Sequence, residues 1–248
     1  MPNLKDQVVL VTGANRGQGK SIAKHFASLG AKVAVGARNF ENAEVLSLEI
    51  GEDKSLPVQL DVTKEADWTA AMNSIIQTYK KIDVLINNAG IFIKKPLLET
   101  TVEDYQQLIN VNQLSVFMGI KAVAPYMKKQ QKGSIINNVS ISSFAPINHA
   151  AAYAASKAAV TNLSKSAAIE LGPKGIRVNS IHPGVIQTNM VSDGNLNVNE
   201  EASAIPLRRA GQPHDIAQVA AFLASEESAY CNGAEIVVDG GLTLGTNV

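Results

Sequence analysis

Short runs of β-branched and aliphatic residues alternate with longer amphipathic stretches along this chain, and no other feature restricts its fold as strongly. The runs at 7–11, 32–36, 57–60, 83–86, 134–138, 177–181 and 235–238 predict strands. Helical patterns begin near Gly17, Glu41, Glu65, Val102, Ala151 and Pro213. Strands separated by helices pair in parallel, and each crossover helix must itself be buried on the sheet. The expected class is therefore α/β, a doubly wound, seven-stranded parallel sheet with helices on both faces. A chain of 248 residues, 46% of them apolar, can fill one large core, so 1–248 is read as a single domain. The stretch 187–209 is polar and lacks periodicity. It is expected to form a lid over the carboxyl ends of the strands, where such sheets bind ligands.

The first strand runs into Thr12-Gly13-Ala14-Asn15-Arg16-Gly17-Gln18-Gly19 and then a helix. Glycines here permit a tight turn and let backbone N–H groups approach a pyrophosphate at the positive end of that helix. A strand, this loop and a helix at the start of an alternating chain make the sheet Rossmann-type. Folds that prefer NAD carry an acid about 20 residues beyond the glycines to hold the ribose 2′-OH. This chain instead has Gly36-Ala37-Arg38-Asn39, with no acid before Glu41. The guanidinium of Arg38 suits a 2′-phosphate, and Arg16 can close on the same group, so NADP(H) is the expected cofactor.

Tyr153-Ala154-Ala155-Ser156-Lys157 places a phenol and an ammonium one helical turn apart. A phenol titrates near pH ~10, so useful acidity at neutral pH requires a downward shift worth about 4 kcal/mol. A fixed cation about 4 Å away, at an effective dielectric near 20, supplies roughly that much. The sequence thus predicts that Lys157 acidifies Tyr153.

The glycine loop, Asn87-Asn88-Ala89-Gly90, Asn112, Ser140, Tyr153-x-x-x-Lys157 and Pro183-Gly184 together resemble the short-chain dehydrogenase/reductase family over nearly the whole chain. That resemblance implies a catalytic set of Asn112, Ser140, Tyr153 and Lys157. Ser140 and Tyr153 would grip one carbonyl oxygen, Lys157 would bond the nicotinamide ribose, and Asn112 would anchor a proton-relaying water. The cofactor would lie along Gly13, Asn15, Arg16, Gly17, Gln18, Gly19 and Arg38. Beyond these, Asp61 and Val62 would meet the adenine, Asn88, Ala89 and Gly90 the adenosine ribose, and Pro183, Gly184, Val185 and Thr188 the nicotinamide, alongside Tyr153 and Lys157. Members of this length are commonly homotetramers built on helices around 102–129 and 151–171. Two departures stand out: Gln18 replaces a usually apolar residue, and 137–143 is a variant strand end in which Ser142 competes with Ser140 for the catalytic role.

The candidate substrate pocket is Phe92, Ser140, Phe144, Ile147, His149, Tyr153 and Met190, mostly apolar and suited to a hydrophobic ketone or its alcohol. The expected activity is NADPH-dependent, reversible carbonyl reduction. The nearest alternative, 3-oxoacyl-carrier-protein reduction, needs a basic surface at the site mouth, for which Lys128, Lys129 and Lys132 are candidates. A non-catalytic NADP-binding sensor or scaffold is the alternative of another class. Other histidines, His25, His182 and His214, read as packed or solvated, and no cluster at metal spacing is seen. With 22 basic and 22 acidic side chains the chain offers no electrostatic case for nucleic acid or membranes. A single cysteine, Cys231, and no long apolar run fit a cytoplasmic protein.

Overall fold

The computed structural model describes residues 2–188 and 203–245. In chain order its elements are β1 Val8–Thr12, α1 Gly17–Ser28, β2 Lys32–Ala37, α2 Phe40–Ile50, β3 Ser55–Gln59, α3 Glu65–Tyr79 and β4 Val84–Asn87. They continue with α4 Val102–Leu108, α5 Ser115–Gln130, β5 Gly133–Asn138, α6 Ala151–Leu171, β6 Ile176–Pro183, α7 Pro213–Ala224 and β7 Glu235–Val238. All seven strands form one parallel sheet in the order β3-β2-β1-β4-β5-β6-β7.

The pleat explains why the strands read as unbroken apolar runs. Val9 and Val11 of β1 face one core with Ile22, Phe26, Leu46 and Ile216, whereas Val8 and Leu10 face the other with Trp68, Ile75, Val123 and Met127. Helices α1, α2 and α7 cover the first face; α3, α5 and α6 cover the second. Boundaries move by a residue or two from the expected ones. β6 runs two residues further, through Pro183, because its end pairs with Val238 of β7, and β3 starts at Ser55, opposite Val33.

The single helical pattern expected from Val102 is two helices joined by a π-helical turn over Ile109–Leu114. Thr101 and Asp104 form a capping box at the start of α4. By contrast α1 begins with neither a side-chain cap nor an acid in its first turn. Its first N–H groups therefore remain available at the positive end of the helix. Of the expected lid at 187–209, residues 189–202 lie outside the described ones. Its flanks are tied down: Gln187 donates its N–H to the Gly211 carbonyl at 2.8 Å, and Leu207 to that of Gly240 at 3.2 Å.

Candidate active site

Strand order reverses between β1 and β4, and the crevice beyond their carboxyl ends opens into a cleft of about 1080 Å³. The glycine loop forms one wall. Gly13 (φ +61°) and Gly17 (φ +53°) take left-handed conformations that favour glycine. Gly19 does not line the cleft as expected, but is packed beneath it: a Cβ there would lie 2.3 Å from the Gly13 carbonyl oxygen. Thr12 Oγ accepts the N–H groups of Asn88 and Ala89 at 3.0 Å each, fixing the turn after β4 against β1.

Arg16 and Arg38 are exposed side chains on the cleft, with Asp61, Val62 and Thr63 beside them. Asp61 accepts from the backbone N–H and hydroxyl of Thr63 at 3.1 and 2.7 Å. Asn15, Gly90, Pro183, Gly184, Val185 and Thr188 line the same space. These groups fit a dinucleotide: an open helix terminus and glycine turn for phosphates, and cations at the far end for a further phosphate.

The opposite wall carries the expected chemical set. Ser140 ends the turn after β5; its Oγ accepts the Ser142 N–H at 3.1 Å, which leaves its own proton for the nearby phenol of Tyr153, whose pKa it acts to lower. Ser142 is buried and faces that support role, so Ser140 is the serine on the phenol. Lys157 is buried, donates to the Asn138 main-chain carbonyl at 3.1 Å, and lies 5.8 Å from the Tyr153 ring centroid. Burial holds its pKa down, at about 8.

The expected acidification of Tyr153 by Lys157 does not appear here. Burial pushes the phenol up, and only the Ser140 hydrogen bond acts against it. The ammonium is directed at a backbone carbonyl instead of the phenol oxygen, and the same desolvation that strengthens charge coupling penalises the phenolate.

Asn112 lies behind the cleft, almost fully buried in the π-helical turn. Its Oδ1 accepts the Ile91 N–H at 2.8 Å, and its Nδ2 donates to the Ile91 carbonyl at 3.0 Å and to Ser156 Oγ at 3.1 Å. Both amide N–H groups are thus committed to holding the β4 turn on α6. A Cβ on Gly90 would lie 3.3 Å from Asn112 Oδ1 and 3.7 Å from Lys157 Nζ, so this glycine keeps the space between them open.

Of the substrate-pocket candidates, Phe92, Ile147 and His149 line the cleft. Phe92 packs edge-on against Tyr153, with ring centroids 4.9 Å apart. His149 adopts φ +61°, uncommon for a residue with a side chain. Phe144 does not line the cleft; it leans on the His182 ring at 5.6 Å, because the turn at Ile141–Ser143 carries it outward. Met190 lies outside the described residues.

Sequence reasoning gave His182 and Asn138 no role. His182 is packed, as expected, but its Nδ1 lies 3.1 Å from the Ser140 carbonyl and 3.0 Å from Ser143 Oγ. Asn138 joins Gln18 and Asn88 in the cleft wall. Its only sequence signal was a second asparagine at the carboxyl end of a strand. Among the described residues no cluster could hold a metal ion, and no helix is long and apolar enough to cross a membrane.

A parallel sheet with an open helix terminus at its switch point, facing a Ser–Tyr–Lys cluster, belongs to the dinucleotide-binding α/β oxidoreductases. Comparison with known proteins narrows this class. Residues 13–243 match the family model described as enoyl-(acyl carrier protein) reductase. A 3-alpha-(or 20-beta)-hydroxysteroid dehydrogenase of Mycobacterium bovis is 41% identical over 96% of this chain and 90% of its own. A cyclopentanol dehydrogenase of a Comamonas species is 40% identical over 98% and 99%. The crystal structure of 3-ketoacyl-(acyl-carrier-protein) reductase from Brucella melitensis, complexed with NADH, superposes with a TM-score of 0.93 at 34% identity, covering 97% of this chain and all of that one. The chain belongs to the short-chain dehydrogenase/reductase family, oxidoreductases of alcohol and carbonyl groups that use NAD(P).

Proposed function

We propose that this protein is an NADPH-dependent oxidoreductase that reversibly reduces a ketone or aldehyde carbonyl to an alcohol. The observation that carries this reading is that Ser140, Tyr153 and Lys157 line one cleft wall, with the Lys157 ammonium 5.8 Å from the Tyr153 ring centroid on the same helix. When bound, the reduced dinucleotide supplies hydride. The protein's share is placement and proton movement. The Ser140 hydroxyl, its lone pair held by the Ser142 N–H, and the Tyr153 hydroxyl bind the substrate oxygen and stabilise the charge developing there. Tyr153 gives its proton to that oxygen in reduction and takes it back in oxidation. Lys157, held by the Asn138 carbonyl, would hold the ribose of a bound dinucleotide and stabilise the phenolate left behind. Asn112 holds the Ile91 backbone against Ser156 and so fixes the turn in which Gly90 leaves space beside Lys157.

Arg38 and Arg16 would hold the 2′-phosphate, and both are exposed on the cleft. Arg38→Asp is expected to weaken NADPH binding by tenfold or more while leaving NADH nearly unchanged; equal losses, read by fluorescence titration, would refute the NADPH preference.

Phe92 packs against Tyr153, and Ile91, Val111 and Ile147 also line the cleft, which favours a hydrophobic substrate. Relatives named for ring-borne secondary alcohols support a cyclic ketone or alcohol as the substrate class. The three lysines expected to serve the carrier-protein reading do not lie at the cleft. Lys128, Lys129 and Lys132 precede β5 at the amino edge of the sheet, away from the cleft, and Lys132 pairs with Glu226 at 2.5 Å. A sensor on this fold would need neither Ser140 nor Tyr153 in contact.

NADPH consumption with a panel of cyclic and aryl ketones and an acetoacetyl thioester tests the reaction. Tyr153→Phe should lower turnover by about 10²–10⁴ with cofactor still bound. Unchanged turnover in a folded, cofactor-loaded variant would end the proposal. The same family likeness supports a single-domain subunit assembled as a homotetramer.

A further inference from the structure

Gln18 and Asn138 are 120 residues apart in sequence, yet Asn138 Nδ2 donates to Gln18 Oε1 at 2.7 Å and to Asn88 Oδ1 at 3.0 Å. Asn88 Nδ2 in turn donates to the backbone carbonyls of Thr12 and Gly13 at 2.9 and 3.3 Å. Backbone carbonyls can only accept, so this chain of amides has one sense. The Asn88 nitrogen must face β1, its oxygen must face Asn138, the Asn138 nitrogen must face both neighbours, and the Gln18 oxygen must face Asn138. The Gln18 Nε2 is thereby directed away from the relay, with no acceptor among the described residues. Gln18 and Asn138 both line the cleft that holds Lys157 and Thr188. Lys157 Nζ rests on the Asn138 carbonyl, and a Cβ on Gly17 would lie 3.4 Å from Thr188 Cγ2. The free amide therefore belongs to the end of the cleft where the reacting ring must lie, not to the adenosine end.

The relay also carries a cost that an apolar pair would avoid. Asn138 Oδ1 is buried with no hydrogen-bond donor, a situation that disfavours the fold. Two aliphatic side chains at these positions would fill the space without that penalty.

We propose that Gln18 is a specificity-determining residue for the nicotinamide half of the cofactor. Its amide N–H, aimed by the Asn88–Asn138 relay, donates to the carboxamide oxygen. This rests on the dinucleotide reading above, and the test separates the two. Dissociation constants are measured by titration calorimetry for NADPH, NADH and 2′-phosphoadenosine diphosphoribose, which lacks the nicotinamide, on the wild type, Gln18→Leu and Gln18→Met. Both variants remove the donor at similar volume, and thermal melts confirm that they fold. The expected result is a loss of about fivefold for NADPH and NADH in both variants, with the fragment unchanged, the size of one neutral hydrogen bond. Equal losses for dinucleotides and fragment would mean damage to the glycine loop and would overturn the inference alone. No loss for any ligand would do the same. A wild type that binds neither NADPH nor NADH would overturn the dinucleotide reading and the inference together.

Discussion

Lys157 shows how one buried side chain serves two demands that oppose each other. In the proposed mechanism its ammonium stays charged to stabilise a phenolate, yet burial holds its pKa at about 8, against 10.5 for the free side chain. Because the folded pKa lies below the unfolded one, charged Lys157 destabilises the fold fully below pH 8, and the penalty vanishes as pH rises towards 10.5. The penalty is on the order of 3 kcal/mol. Lys157→Met is therefore expected to unfold at higher denaturant concentration than the wild type at pH 7, with the gain shrinking as pH passes 8 and approaches 10.5. A gain that held constant with pH, in paired urea titrations, would show that the ammonium carries no such cost. On the proposed mechanism, stability is yielded at this residue for the sake of a charge beside the phenol. Tyr153 is the complementary case: its place one turn before Lys157 could be read from the sequence, but the upward direction of its pKa could not, since burial depends on the packing around it, Phe92 included.

Helix α1 shows the same trade at the level of an element. Helices ordinarily gain up to about 1 kcal/mol when an interior glycine becomes alanine. At Gly19 the sign reverses, because the added Cβ would meet the Gly13 carbonyl at 2.3 Å and Asn88 Nδ2 at 2.5 Å. Both contacts are with groups fixed by the β1 and β4 ends, so they cannot yield cheaply. Gly19→Ala should cost about 1–3 kcal/mol in stability and weaken dinucleotide binding; a variant as stable as the wild type in thermal unfolding would refute the close packing. The loop was legible as a glycine pattern after a strand. That Gly19 supports the loop from below, while Gly13 and Gly17 shape its surface, depends on where Asn88 crosses from β4. The π-helical turn that sets Asn112 between Ile91 and Ser156 left no mark in the helical periodicity, because a one-residue widening is set by what the helix packs against.

At the scale of the whole molecule, two apolar faces sandwich one sheet, but α4, α5 and the π-helical turn between them also leave Val102, Tyr105, Leu114 and Phe117 exposed. Single exposed apolar side chains are ordinary, whereas several on one continuous helical segment fit the proposed pairing of subunits through these helices. Phe117→Glu should shift the particle to a smaller species in light scattering at unchanged far-ultraviolet dichroism; an unaltered mass would remove this face from the assembly. The sequence by itself determined the class of fold, the strand count, the glycine turn and the placing of Tyr153 one helical turn before Lys157, because alternation of apolar runs and fixed local spacings are properties of neighbouring residues. Only tertiary structure decided that Asn138 reaches Gln18, that His182 backs Ser140 and that Phe144 turns outward, because these depend on residues brought together across the sheet, and on burial that no local pattern records.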